Sequence, residues 1–192
     1  MRIFILGISG KEAVGKDTIA DYIAYDYLRA RKPVATVFRF QFARLLKRTI
    51  ATLYQVDENY FDNRDLKENK IIQVGDEMYS PRELMLYYGE AIRNKHSDFF
   101  IQAFIKELQK HIDDSISHGE DDDIIAIISD VRFKNELDFI HSRNGHVMCV
   151  CTPTIDPPDL HLSCDSYFEN EMKGMYDLHV AIDKFLDEIN FF

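Results

Sequence analysis

The chain is predicted to fold as a doubly wound α/β sheet of about five mainly parallel strands with helices on both faces. Three observations carry that expectation. Short runs rich in Ile, Val and Phe, without polar alternation, suit strands buried on both faces. Between them lie stretches with apolar residues three and four apart, as an amphipathic helix requires. Strand and helix alternate along most of the chain, which favours parallel strands joined by crossover helices.

The elements follow in order. Arg2 to Gly7 is a buried first strand, with too short an apolar stretch and no small-residue cleavage site for a signal peptide. After a glycine-bearing loop, Lys16 to Arg31 carries Ile19, Ala20, Ile23, Ala24, Tyr27 and Leu28 at helical spacing, and Pro33 ends it. Val34 to Phe38 is a second strand, and Phe42 to Tyr54 is helical through Ala43, Leu46, Ile50 and Leu53. A short hairpin is expected where Ile71-Ile72 and Met78-Tyr79 flank Gly75-Asp76. Ser80-Pro81-Arg82-Glu83 combines an N-cap serine, a first-turn proline and a capping-box glutamate, opening a helix that runs to about Tyr88. Ser97 to about Ile116 is a further helix, and Gly119 to Asp123 an acidic turn. Ile124 to Ile128 is the most apolar strand, ending at Ser129-Asp130. A helix over Phe133–His141 and a strand over Val147–Val150 follow. Residues 152–170 read as irregular, Tyr176–Ile182 as a fifth strand and Asp183–Ile189 as a terminal helix.

In such a sheet, ligands sit beyond the carboxyl ends of the strands. Two motifs fall there. Gly10-Lys11-Glu12-Ala13-Val14-Gly15-Lys16 fits the G-x-x-x-x-G-K half of a phosphate-binding loop, between a strand and a helix. Glycines 10 and 15 let the backbone curl its N–H groups towards phosphate oxygens, and the helix start adds a favourable dipole. Lys16 would reach the outer phosphates, and Thr18 an α-phosphate. Asp17 stands where Ser or Thr normally touches Mg²⁺. Its carboxylate is either a stronger oxygen ligand for that ion or a helix-start acid. The second motif is Asp130-Val131-Arg132: a strand-end carboxylate suited to ordering a metal and an arginine suited to clamping phosphate. Its plainer reading is an Asp N-cap with an Arg132–Glu136 surface pair.

The net charge is -10 with a sequence pI near 5.1, which excludes a broad nucleic-acid-binding face. Local basic clusters able to bind phosphates remain, at Arg29, Arg31 and Lys32, and at Arg39, Arg44, Lys47 and Arg48. No run is long and apolar enough for a membrane helix. Cys149, Cys151 and Cys164 make no disulfide framework and read as buried or free thiols in a reducing cytoplasm. The His161-x-x-Cys164 spacing lacks a second pair for a zinc site.

With these residues in view, the chain resembles the deoxynucleoside monophosphate kinases of bacteriophages and large DNA viruses. Gly15-Lys16-Asp17-Thr18 matches their G-K-D-T loop, and Phe42-Ala43-Arg44-Leu45-Leu46-Lys47 their F-A-x-x-L-K segment. Pro81-Arg82-Glu83-Leu84, with Gly89 and Arg93, is similar to P-R-E-L…G…R, and residues 130–136 are close to D-V-R-F-x-N-E. Cys164 replaces the glutamate of their H-x-S-E.

The resemblance implies a P-loop kinase-like fold over residues 1–192, with an acceptor-binding helical region at about 40–118 and a lid-like segment at about 152–172. It implies transfer from ATP, with Mg²⁺, to a deoxynucleoside monophosphate for dNTP supply. A viral protein in the host-cell cytoplasm follows, as does a homodimer without nucleic-acid or membrane partners. Donor phosphates fall to Gly10, Lys11, Val14, Gly15, Lys16, Asp17 and Thr18, and Mg²⁺ to Asp17 and Asp130. Lys16, Asp130 and Arg132 would be catalytic. Lys47, Arg82, Arg93 and Arg132 would hold the acceptor phosphate, and Phe38, Phe40, Phe42, Tyr87 or Tyr88 could stack on a base. Residues 152–172 contain no Arg or Lys, so charge neutralisation falls to Lys16, Arg132 and the helical arginines. Two other readings stay open: a phosphomevalonate kinase-like enzyme with a similar G-K-D loop, and an ATP-binding regulatory protein without acceptor turnover.

Overall fold

Residues 1–63, 65–119, 122–158 and 163–189 are described by a computed structural model. The strands, in chain order, are β1 (Ile3–Gly10), β2 (Thr36–Phe40), β3 (Ile72–Val74), β4 (Glu77–Tyr79), β5 (Ile124–Val131), β6 (His146–Cys151) and β7 (Ser166–Glu169). The helices are α1 (Lys16–Tyr22), α2 (Leu28–Arg31), α3 (Arg44–Tyr54), α4 (Pro81–Lys95), α5 (Phe99–Ser117), α6 (Lys134–Ser142) and α7 (Met175–Ile189). A π-helical segment, Ile23–Tyr27, joins α1 to α2 without a break, so Lys16–Arg31 is one helical run. The chain divides into two units, Met1–Gln41 with Phe104–Phe192, and Phe42–Ala103.

The first unit holds a five-stranded sheet in the order β2-β5-β1-β6-β7, with every neighbouring pair parallel. This is a P-loop kinase-like α/β fold. Strands β1 and β5 are central, and Ile124 to Ile128 is buried along its whole length because helices cover both faces. On one face Leu6, Ile8, Ile125, Ile127, Met148 and Val150 pack against Ile19, Ile23, Leu28, Leu178, Ile182 and Leu186. On the other, Phe40 and Phe139 each meet the ring of Phe104 edge-on.

Chain direction decides where a ligand would sit. From β1 the chain crosses to β2 on one side, and from β5 it crosses β1 to reach β6 on the other. The adjacent carboxyl ends of β1 and β5 are therefore a topological switch point, where connections diverge and leave a crevice. A register shift lies there: Gly7 pairs with Ile128 but Ser9 with Val131, so β5 carries an extra residue at Ser129-Asp130.

Two expectations at the C-terminal end are corrected. The fifth strand is β7, inside the stretch read as irregular, and Tyr176–Ile182 is part of the single helix α7. Tyr, Val and Ile are dense there and look strand-like in a short window. Leu178, Ile182 and Leu186 recur every four residues, and burying that stripe selects the helix. β7 has a single buried residue, Phe168, and exists by pairing with β6, a contact that local sequence does not encode. Four residues of the lid-like segment, 159–162, and with them His161, lie outside the described residues, as do Glu120 and Asp121 of the acidic turn.

The thiol expectation is corrected as well. Cys149 and Cys164 form a disulfide, with Cα atoms 5.7 Å apart, and Cys151 is a free thiol. The cysteine count therefore supplies no argument for a reducing compartment. Among the described residues no helix is long and apolar enough to cross a membrane.

Two tyrosines tie the Lys16–Arg31 helical run to α7. Tyr22 Oη donates to Asp183 at 2.7 Å and Tyr27 Oη to Asp187 at 2.8 Å. Burial, then these bonds, pushes both phenols up to about 12. A raised phenol contributes stability below its unfolded pKa near 10 and loses it as pH climbs through 12. Tyr27→Phe is expected to cost about 1 kcal/mol in urea unfolding at neutral pH, because Asp187 stays solvated when its donor is lost.

The second unit contains α3, α4, the β3–β4 hairpin and the start of α5. The hairpin turns at Gly75, whose φ of 62 suits a two-residue loop. The capping box forms as expected: Ser80 Oγ accepts from Glu83 N at 3.1 Å, and Glu83 accepts from Ser80 N at 2.7 Å. α4 continues to Lys95, well past Tyr88. Gly89 lies where α4 meets α3, and a Cβ there would come within 3.3 Å of Leu46.

Candidate active site

The loop after β1 curls as its glycines suggested, with one addition. Gly15 has φ 89 and Ala13 has φ 65, so two left-handed residues bend the chain into the helix. Gly10 is packed shut from the other side, since a Cβ there would meet the carbonyl oxygen of Val150 at 2.7 Å. Val14 is fully buried in the core, so only its backbone is available to a ligand. Its carbonyl accepts from Asn170 Nδ2 at 3.1 Å, and Asn170, just after β7, is itself buried. Asn170 escaped the sequence reading, because nothing in its neighbourhood signals that β7 brings it against the loop.

Lys16 opens the helical run, and its ammonium donates to the Lys11 carbonyl at 2.5 Å, folding back over the loop. Its pKa is lowered, first by burial and then by the Arg132 charge, while Asp17 and Asp130 oppose the shift. Lys16, Asp17, Asp130 and Arg132 thus share one electrostatic field, as their placement at two adjacent strand ends requires. The Thr18 hydroxyl makes no hydrogen bond among the described residues.

Asp17 is held by a network the sequence did not announce. One oxygen, Oδ1, accepts from Ser129 Oγ at 2.8 Å, from Gln41 Nε2 at 3.1 Å and from Arg39 Nη2 at 3.3 Å. Arg39 also pairs with Asp21, one helical turn on. The sequence grouped Arg39 with residues able to bind phosphate; its side chain is 15% exposed and committed to Asp17 and Asp21. Ser129 is buried, and it reaches Asp17 from the face of β5 that carries Ile125 and Ile127, the face packed against α1.

Asp130 is not an N-cap: α6 begins at Lys134, with Phe133 in the capping position. The Arg132–Glu136 surface pair is replaced by a different arrangement. Glu136 is buried, and its Oε2 accepts from the backbone N–H of Arg132 at 2.9 Å and of Phe133 at 3.2 Å. That leaves the Arg132 side chain exposed, with no hydrogen bond or ion pair among the described residues. A cation at a strand end, aimed by its own backbone and unspent, is suited to an incoming phosphate.

The donor set fits Mg²⁺. Among the described residues no three His, Cys, Asp or Glu side chains converge as a metal site. Mg²⁺ at a nucleotide needs only one or two carboxylates, with phosphates and waters completing the shell. Asp17 and Asp130 would supply those carboxylates, and Oδ2 of Asp17 has no hydrogen bond among the described residues.

The other basic residues that the resemblance assigns to the acceptor, Lys47, Arg82 and Arg93, lie in the second unit. Lys47 donates to Asp62 at 2.6 Å and Arg82 to Glu68 at 2.8 Å, while Arg93 lies 4.7 Å over the ring of Phe100. Phe40 and Phe42 are core residues, Phe38 stacks on His111, and Tyr88 shares a hydrogen bond with Tyr54. Tyr87, at 69% exposure, is the aromatic left open to solvent in that group.

No protein-family model matches the chain. Among curated proteins it is similar to one from Acanthamoeba polyphaga mimivirus named "Putative deoxynucleotide monophosphate kinase". Identity is 25% over 194 residues, covering 96% of this chain and 91% of that protein. The likeness spans both units.

Proposed function

We propose that this protein transfers the terminal phosphoryl group of ATP to a deoxynucleoside monophosphate, with Mg²⁺, yielding ADP and the deoxynucleoside diphosphate. The observation that carries the reading is the shared field of Lys16, Asp17, Asp130 and Arg132 at the β1–β5 switch point. The mimivirus protein's name supports the acceptor class. In this reaction an acceptor phosphate oxygen attacks the γ-phosphorus as its bond to the bridging oxygen breaks, and charge moves onto the ADP β-phosphate. Asp17 and Asp130 would hold Mg²⁺, which would supply neutralisation of the phosphate charge. Lys16 would follow the moving charge, leaving the Lys11 carbonyl for a phosphate oxygen. Arg132 would hold the transferred or acceptor phosphate, and Lys47, Arg82 and Arg93 are the further cations assigned to the acceptor. The loop's backbone N–H groups, from Gly10 to Thr18, would take the donor phosphates. A homodimer working in the host cytoplasm, within dNTP supply, completes the reading.

The test is a phosphotransfer screen over dTMP, dGMP, dCMP, dAMP and phosphomevalonate with ATP and Mg²⁺. Turnover of at least one deoxynucleoside monophosphate is expected. Turnover of phosphomevalonate alone would replace this reading with the related small-molecule kinase. ATP binding with no turnover of any acceptor would replace it with a regulatory protein.

A further inference from the structure

We infer that Arg39, with Ser129 and Gln41, is a positioning group that presents Asp17 to the divalent cation through a single oxygen. The inference rests on the kinase reading above and concerns residues that reading does not use. Asp17 and Asp21 are like charges one turn apart on the same helical run, an arrangement that destabilises a helix and would repel a polyphosphate. Arg39 rises from β2 beneath that turn and bridges both carboxylates. The guanidinium is largely buried and its Nε has no hydrogen-bond partner among the described residues, so the placement is held at a desolvation cost. A surface pair formed in passing would not bear that cost.

The geometry at Asp17 is asymmetric. Its three donors all converge on Oδ1, from β2, from the residue after β2 and from β5. The Asp17 side chain is nonetheless 66% exposed, and Oδ2 carries no hydrogen bond among the described residues. A carboxylate fixed by one oxygen and open at the other suits Mg²⁺, which demands near-octahedral geometry and keeps several waters. Such supporting groups orient a ligand and tune its basicity. Arg39 also cancels one of the two acidic charges, so the bound cation need offset only the other beside the nucleotide.

The test uses the full chain with Arg39→Gln, Arg39→Lys and Ser129→Ala, each checked for folding by thermal unfolding. Calorimetric titration measures ATP affinity in EDTA and in Mg²⁺. Electron paramagnetic resonance of Mn²⁺ measures metal affinity of the ADP-loaded protein. Arg39→Gln is expected to weaken Mn²⁺ binding by about 10-fold, with metal-free ATP affinity preserved. Arg39→Lys is expected to fall between, retaining the charge without the fork. Ser129→Ala should shift metal affinity in the same direction and carries the test if Arg39→Gln does not fold. Equal losses with and without metal would mean a merely structural role and overturn the inference. Unchanged Mn²⁺ affinity in the folded variants, with the parent binding ATP normally, would overturn it alone. Failure of the parent to bind ATP under either condition would overturn the kinase reading and this inference together.

Discussion

Lys16→Ala is expected to lower kcat/KM for phosphoryl transfer by roughly 10²- to 10³-fold, the loss typical when a preorganised charge at the reacting group is removed. The ammonium sits at the head of the helical run, over the loop that would hold the phosphates, and its neighbours Asp17, Asp130 and Arg132 cannot replace it there. Stability should not suffer. Burial is the first cause of the lowered Lys16 pKa, so the charged form is held at some cost in the ligand-free protein. By linkage, a lysine whose folded pKa is depressed opposes folding while charged, and that penalty fades as pH rises through its folded value. Removing it should leave the unfolding midpoint at neutral pH unchanged or raised. Steady-state rates with the accepted monophosphate and a urea titration separate the two effects. Activity within about threefold of the parent would dismiss the loop as the catalytic element.

The second large effect is expected at Glu136. Glu136→Ala removes the acceptor for two backbone N–H groups at the turn from β5 into α6, from a residue that is 3% exposed. Loss of such a cap, with a small cavity, is expected to cost about 2 kcal/mol of unfolding free energy. Arg132 is aimed by the same turn, so kcat should fall as well, although Glu136 touches no phosphate. Glu136→Gln retains an acceptor oxygen and should recover most of the stability. If Arg132 is aimed by this turn, kcat and stability will recover together in the Gln variant. A kcat that stays at the parent level in Glu136→Ala would show that Arg132 does not depend on it.

The same residue shows where a sequence is legible and where it is not. The spacing Arg132-x-x-x-Glu136 permits a side-chain pair on a helix surface, and one-dimensional reasoning offers that pairing first. The glutamate instead turns inward, because the N–H groups of Arg132 and Phe133, between β5 and α6, need an acceptor at the edge of the core. Arg39 was misread for a related reason. In sequence it neighbours Arg44, Lys47 and Arg48; in the sheet it is on the face that β2 shares with Val37, beneath α1. Strand alternation separates residues that charge counting groups together.

Local chemistry was readable throughout. The apolar runs marked four of the five main-sheet strands, the capping box at Ser80 predicted an atomic arrangement, and the loop at Gly10–Lys16 was placed between its strand and helix. Each of these depends on residues within one turn or one strand of each other. β7, Asn170 against Val14, the Cys149–Cys164 bond and the three donors on Asp17 join residues from 15 to 156 positions apart. Periodicity and motif spacing carry no information over such distances. By itself the sequence determined the strand–helix rhythm and the place of the glycine-bearing loop between β1 and α1. The tertiary structure alone decided that Asp17 takes its three donors on one oxygen, Oδ1. Parallel strands brought together by long crossovers set that choice.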